Sequence, residues 1–359
     1  MNNSSILNSK IFKTFLISAL FLLFCVKPTL SFSQEKAAEG TEKPFDPKEV
    51  VFEHIGDSHS MHVFGNIAIP LPVILYTDKG LEIFSSEKLG LHHEEGHEAP
   101  VYKGEHYNYK LEGNKILAVD EAGEVNKDAK VYDFSITRNV ASMWMGMIIL
   151  LIVFFSITSS YKKRAGKAPK GLQSLLEPVI LFVRDDVAIP NIGVKYARYM
   201  PLLLTIFFFI LINNLLGLVP FFPGGFNLTG NIAVTMVLSV IVLIVINFSG
   251  NKYYWKHIFT PDIPVWLYPI MVPVEIIGII SKPFALMIRL FANITAGHII
   301  VLSLISLIFI FKTAWMATVS VPFVVFMDCI ELLVAFLQAF IFTMLTSLFI
   351  GMAVEEHHH

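Results

Sequence analysis

Apolar positions along this chain fall into two regimes. Up to about residue 135 they form short alternating runs divided by turn residues; beyond it they form long, nearly unbroken runs. In LPVILYTDKGLEIFSS, residues 71–86, apolar and polar side chains alternate on either side of Asp78-Lys79-Gly80, which predicts two strands joined by a tight turn. ILAVDEAGEV, residues 116–125, repeats the theme. Residues 34–135 therefore read as a small β-rich segment outside the membrane.

The long runs need a different environment. A span over about Val140–Thr158 is followed by YKKRAGKAPK, whose Lys162, Lys163, Arg164, Lys167 and Lys170 mark a cytoplasmic loop by the positive-inside rule. Residues 171–198 hold amphipathic stretches such as LLEPVILFVRDD and fit a path along the cytoplasmic surface. A second span covers about Met200–Phe222, and the uncharged turn PFFPGGFNLTGN fits the outer side. A third covers about Ile232–Phe248 before Lys252 and Lys256 return the chain to the cytoplasm. Residues 264–282 are apolar but interrupted by Pro264, Pro269 and Pro273, which predicts an interfacial or re-entrant stretch. Two further runs, Pro283–Phe311 and Pro322–Val354, hold 29 and 33 residues. As helices rising about 1.5 Å per residue they measure about 44 and 50 Å, against a hydrocarbon core of about 30 Å. Neither fits upright, which predicts two strongly tilted helices joined by an outer loop near Lys312–Ala317. The fold class is thus an all-α polytopic membrane protein with about five spanning helices, preceded by a small β-rich extramembrane segment.

Composition agrees. The 359 residues are 54% hydrophobic and 16% charged, where a soluble domain carries about 25% charge. The formal net charge of −2 points to no nucleic-acid partner. Residues 1–33 read as a secretory signal peptide: Lys10 and Lys13 precede the apolar run Phe15–Val26, which is short for a span, and Ser31 and Ser33 supply small residues before cleavage. An uncleaved anchor helix is the alternative. If the signal is used, residues 34–135 are a periplasmic extension. Cys25 follows the bulky Phe24, unlike a lipoprotein site, and Cys329 lies in an apolar run, so there is no disulfide framework. The closing EEHHH reads as native. HSMH at 59–62 and HHEEGH at 92–97 place His and Glu at spacings zinc accepts. HHEEGH is not the HExxH pattern, however, so solvated loops are the expectation, with no metal or cofactor.

The candidate chemistry lies inside the last two runs. The first carries Arg289, Asn293 and His298, with Glu275 and Lys282 upstream; the second carries Asp328, Glu331 and Gln338. An arginine at a helix centre costs about 2.5–3.5 kcal/mol on insertion scales and cannot deprotonate to escape that cost. On the helical wheel Asn293 lies about 40° from Arg289, while His298 lies about 180° away and about 13 Å nearer the outer face. Glu331 and Gln338 share a face about 10 Å apart along the helix. Antiparallel pairing brings Gln338 level with Arg289, and Glu331 roughly level with His298. Three layers result: an outer acid–base pair, a fixed charge with amides at the middle, and Glu275 toward the inside. Histidine and carboxylate exchange protons at accessible pH, whereas arginine does not.

These residues carry a family resemblance. PVEIIGIISKPFALMIRLFANITAGHII, residues 273–300, resembles the SKP…RLF.N..AG signature of subunit a of F-type ATP synthases. LLVAFLQAFIFTMLTSLFIGMAVEEH resembles that family's closing helix through LQAFIF and the terminal EEH, and PLLLTIFFFILINNLLGLVP fits too. The likeness covers roughly residues 139–357 and implies that residues 136–359 form the membrane domain. It implies a proton-conducting stator with no catalytic site of its own, inside the proton-transporting two-sector ATPase of a bacterial inner membrane, with a cytoplasmic C-terminus. Its implied partners are the c-subunit ring, the b-subunit peripheral stalk, the catalytic head indirectly, and the bilayer. Arg289 then matches the essential arginine, Gln338 the glutamine beside it, Asn293 the asparagine one turn on, and Glu275 an acidic position on the cytoplasmic exit path. Some relatives carry Glu on the first helix and His on the second, where this chain has His298 and Glu331. Gly297 is expected to allow close packing against the ring, and Asp328 to support rather than relay.

Two other classes compete. A secondary transporter would use Arg289 to bind an anionic substrate, but no internal repeat is visible and five spans are few for inverted halves. A membrane scaffold would have no reason to bury Arg289 and His298.

Overall fold

The computed structural model describes residues 56–355 apart from 65–66, 91–99, 113–114, 121–122, 127–128, 164–167, 220–223, 226–227 and 261–262. The expected signal peptide and the HHEEGH run lie outside the described residues, as do all but the first glutamate of EEHHH.

The extension is β-rich, as its alternation requires. Strands β1 (Ser60–Phe64) and β2 (Ile67–Pro70) pair as one hairpin. β3 (Pro72–Thr77) lies between β4 (Gly80–Ser85) and β8 (Val131–Asp133), and β6 (Asn108–Glu112) lies between β5 (Tyr102–Lys103) and β7 (Lys115–Val119). The β3–β4 register closes at Thr77 opposite Gly80, so Asp78 and Lys79 form the turn. Gly80 has φ 148°, and a Cβ there would press on the His106 ring. In ILAVDEAGEV the first four residues belong to β7, and the chain returns to form an isolated bridge of Val125 with Val119 rather than a second strand. The two three-stranded sheets share a core of Val73, Leu75, Phe84, Leu89, Tyr109, Ile116 and Ala118. Glu82 is buried beside it and is satisfied by the amides of Glu105 and His106 and by the Tyr109 hydroxyl, which donates at 2.8 Å. Burial together with that carboxylate pushes the Tyr109 hydroxyl pKa up.

The extension is fastened to the first membrane helix, α1 (Arg138–Lys163). A helix leaves its first amides without intrahelical acceptors. Here the Arg138 amide donates to the Ser58 carbonyl at 2.7 Å, and the Asn139 amide to Asp57 Oδ1 at 3.1 Å. The Arg138 guanidinium also donates to the Gly56 carbonyl. Between β8 and α1, the Phe134 and Ile136 amides continue pairing to the carbonyls of Ile74 and Pro72. His59, from the HSMH run, lies 3.3 Å from Asp133. Burial raises the Asp133 carboxyl, but bonds from His59 and Ser135 outweigh it and hold it below the usual carboxylate range.

After α1 come α2 (Leu172–Phe182), a π-helical turn (Val183–Ala188), α3 (Ile189–Ile192) and a 3-10 turn (Gly193–Lys195) leading into α4 (Tyr196–Leu218). α5 (Ile232–Ser249) and the short α6 (Lys252–Phe259) follow, and the long pair α7 (Tyr268–Phe311) and α8 (Ala314–Val354) closes the chain. Among the described residues, five helices are long and apolar enough to cross a membrane. The core joins the π turn, α4, α5, α7 and α8 through Val183, Leu203, Phe207, Val242, Leu290 and Phe342.

Two expectations are corrected. Residues 264–282 are no separate re-entrant stretch: after a 3-10 turn at Val265–Leu267, α7 takes in the rest as part of one 44-residue helix. Pro269 sits in the first turn, where its missing amide has no intrahelical partner to lose. Pro273 and Pro283 each remove one hydrogen bond, whereas an irregular stretch in lipid would strand many backbone groups. The outer loop shrinks to Lys312 and Thr313, because Lys312 takes a left-handed φ of 47° and turns the chain at once. With α8 at 41 residues, the two helices measure about 66 and 62 Å by helical rise, about twice the hydrocarbon core of about 30 Å.

The end of α8 is anchored. Asn251 donates from its amide to the Ala353 carbonyl and from its side chain to the Val354 carbonyl, both at 2.9 Å. Ser347 donates to the Val187 carbonyl at 3.0 Å, using an acceptor in the π turn. Gly351 lets the α3 backbone approach, since a Cβ there would lie 2.0 Å from the Asn191 carbonyl oxygen. Gly351→Ala is therefore expected to destabilise the fold by about 1–3 kcal/mol. Gly278→Ala, on α7 with open space around it, should be neutral or stabilising by up to about 1 kcal/mol. Apparent melting temperatures of the solubilised variants at one scan rate separate the two; equal behaviour would contradict the close approach at Gly351.

Candidate functional site

Each candidate residue is positioned by the α7–α8 pair, and α4 completes the site. Along α8, Ala335, Gln338, Ala339, Phe342, Thr343, Thr346, Ser347 and Ile350 form a buried stripe at helical spacing. Its small residues allow close helix packing, and the Thr343 and Thr346 hydroxyls are spent on carbonyls of their own helix. On α7, Leu286, Met287 and Leu290 take the buried face and leave Arg289 and Asn293 exposed on the flank.

His298 and Glu331 come together across the helix pair. His298 Nδ1 of α7 lies 3.9 Å from Glu331 Oε2 of α8, with side chains 22% and 11% exposed. Glu331 is held against the α7 backbone by an absence: a Cβ on Gly297 would lie 2.7 Å from Glu331 Oε1. The open space at Gly297 is therefore taken by Glu331, which corrects the expectation that it serves packing against a ring. Glu331 Oε1 is buried and has no hydrogen-bond partner among the described residues.

Glu331 and His298 also line a small cavity. Asn213, Asn214, Thr229, Asn293, His298 and Glu331 are its polar lining, and it encloses about 20 Å³ open to the centre of a water molecule, enough for one water. Asn214 is fixed at both ends of its amide. Its nitrogen donates to the Ala335 carbonyl at 3.3 Å, and its oxygen accepts from the Thr229 hydroxyl at 2.6 Å. Asn213 donates to Phe209 of its own helix, and its oxygen lies where a Cβ on Gly146 of α1 would stand. Asn213, Asn214 and Thr229 were not singled out from the sequence. The only signal was an Asn-Asn pair inside an otherwise apolar run, and nothing in one span tells which other helices it faces.

The remaining candidates are spread along α7 and α8. Arg289 makes no hydrogen bond or ion pair among the described residues, with Glu331 and Asp328 included. Asp328 is exposed. Gln338 is buried in the α8 stripe, and no hydrogen bond joins it to Arg289. Asn293 lines the cavity with His298, which moves it from the middle layer toward the outer one. Glu275 is half-buried and lies close enough to α6 that its charge, after burial, helps push the Tyr254 hydroxyl pKa up. By helical rise it lies about 21 Å from Arg289, and His298 about 13 Å to the other side. Lys282 stands 5.4 Å over the Phe349 ring of α8.

Chemically, the site holds an enclosed acid–base pair with room for a water, and a permanent cation farther along the same helix on an exposed flank. Comparison with known proteins gives this set a context. Residues 140–351 match the ATP synthase A chain family, and residues 50–134 match a domain of unknown function, DUF8433. ATP synthase subunit a of Chloroherpeton thalassium is 49% identical over 64% of this chain and 69% of its own length. ATP synthase subunit a 2 of Prosthecochloris aestuarii is 44% identical over 75% and 84%. Myxococcus xanthus ATP synthase subunit a is 44% identical over 63% and 75%. With five apolar helices among the described residues, a β-containing N-terminal region and this match across most of its length, the chain belongs to the ATP synthase subunit a family.

Proposed function

We propose that this chain is the proton-conducting stator of an ATP synthase membrane sector, passing protons through two offset half-channels to and from carboxylates on a ring of c subunits. One observation carries the reading. Along α7, an exposed cation without an ion pair among the described residues stands between His298, which meets Glu331 of α8, and the distant carboxylate of Glu275. The outer half-channel runs through the cavity: a proton passes by way of His298, Glu331 and one water to a ring carboxylate. The neutral carboxylic acid can enter lipid, which lets the ring turn. On its return the site meets Arg289, whose fixed charge favours the ionised form, and the proton leaves toward Glu275. Gln338 and Asn293 line the approach to the arginine. Arg289 also blocks direct passage, because a proton moving toward it meets like charge. The driving force is about 2.3 kcal/mol per charge per 100 mV.

In this reading the protein lies in a bacterial inner membrane with its extension in the periplasm and its C-terminus in the cytoplasm. The b-subunit stalk holds it against rotation, and the catalytic head is reached only indirectly. The chain supplies no catalytic site; its chemistry is proton transfer.

The reading has specific consequences for reconstituted complexes. Arg289→Ala should abolish ATP-driven proton pumping and raise the passive proton leak; intact pumping without added leak would refute the assigned role. His298→Ala and Glu331→Gln should each slow proton flux by about tenfold or more, while the double exchange His298→Glu with Glu331→His restores much of it. Unchanged flux at every pH in the single variants would remove the pair from the path. Gly297→Val should displace the Glu331 carboxylate and slow flux with subunit assembly retained, whereas wild-type flux would show that the contact at Gly297 does not position Glu331.

A further inference from the structure

We infer that the outer face of the β4–β3–β8 sheet is a membrane-docking surface that lies against the lipid headgroup layer where α1 begins. The cross-strand registers set six apolar side chains in two rungs of three on that face. Ile83, Ile74 and Phe134 make one rung, and Leu81, Tyr76 and Tyr132 the other. Ile74 is half-buried, and the other five are between 53 and 66% exposed. No charged side chain interrupts the grid. The opposite face of the same sheet supplies Val73, Leu75 and Phe84 to the core, so this face is surplus to the domain's own packing. A continuous patch of this kind marks an interaction surface rather than scattered exposure.

The occupant follows from where the patch is tethered. α1 has 26 residues and measures about 39 Å by helical rise, against about 30 Å of hydrocarbon and about 40–45 Å including both headgroup layers. Arg138, at its start, therefore lies in a headgroup layer. Phe134 precedes Arg138 by four residues, which limits their separation to about 14 Å. The link has no slack, because the amides of Phe134, Ile136, Arg138 and Asn139 are all bonded into the extension. The lower rung, which contains Phe134, is held near the layer where aromatic side chains concentrate. Two tyrosines in the other rung offer an apolar ring and a hydroxyl to the same wet boundary.

The test uses the intact complex with Cys25 and Cys329 replaced by Ser. Nitroxide labels go at Phe134→Cys and Ile83→Cys, with Glu124→Cys, exposed outside this sheet, as the water-exposed control. The complex is reconstituted in phosphatidylcholine and phosphatidylglycerol vesicles. The expected result is a several-fold lower collision rate with a water-soluble nickel chelate at positions 134 and 83 than at 124, with a higher collision rate with molecular oxygen. Nickel access equal to the control at both positions would show a face open to water and overturn the proposal. Shielding from both reagents would overturn it in favour of a protein partner. A label at Tyr132→Cys gives the same readout if substitution at Phe134 disturbs the strand.

Discussion

A guanidinium cannot surrender its proton, and a hydrocarbon layer offers it nothing to bond. Arg289 therefore constrains everything around it. The chain does not pair it internally among the described residues, and its helix leaves it on an exposed flank. The buried face of α7 goes to Leu286, Met287 and Leu290, and the other titratable groups are kept at a distance along the same rod. An unpaired cation in this position is stable only if another molecule supplies a negative group or water does so from a channel. Both belong to the stator reading.

The rest of the fold holds that rod in place. α8 lies beside α7 with a stripe of small and hydroxylated residues, and its far end is pinned by Asn251, Ser347 and the bare Cα of Gly351. Gly297 leaves the space into which Glu331 folds, so the acid reaches His298 across the helix pair. Asn214 and Thr229 fix the cavity wall from α4 and from the loop before α5. Backbone close approaches and satisfied amides thus place two titratable groups around room for one water.

Much of this was legible in the sequence because bilayer constraints are blunt. Run length alone showed that the last two helices could not stand upright, and antiparallel pairing put His298 and Glu331 roughly level with each other. The prolines of residues 264–282 misled, since their local cost suggested a break while the larger cost of stranded backbone in lipid kept the helix whole. Gly297 also misled, because a glycine shows where space is needed but not which side chain fills it. Asn213, Asn214 and Thr229 escaped notice because they meet Asn293 and Glu331 only through packing of helices far apart in sequence. In the extension, the hairpin at Asp78-Lys79 followed directly from alternation, whereas the pairing of β3 with β8 spans more than fifty residues and has no local signal.

The central claim is that Arg289 is reserved for a carboxylate carried by another subunit. The most direct measurement is a side-chain-resolution structure of the intact membrane sector in lipid. The account predicts that the Arg289 guanidinium faces a ring carboxylate directly or through one water, with His298 and Glu331 lining a separate wet path. An Arg289 paired with Asp328 of its own chain, with the ring carboxylates facing elsewhere, would contradict it.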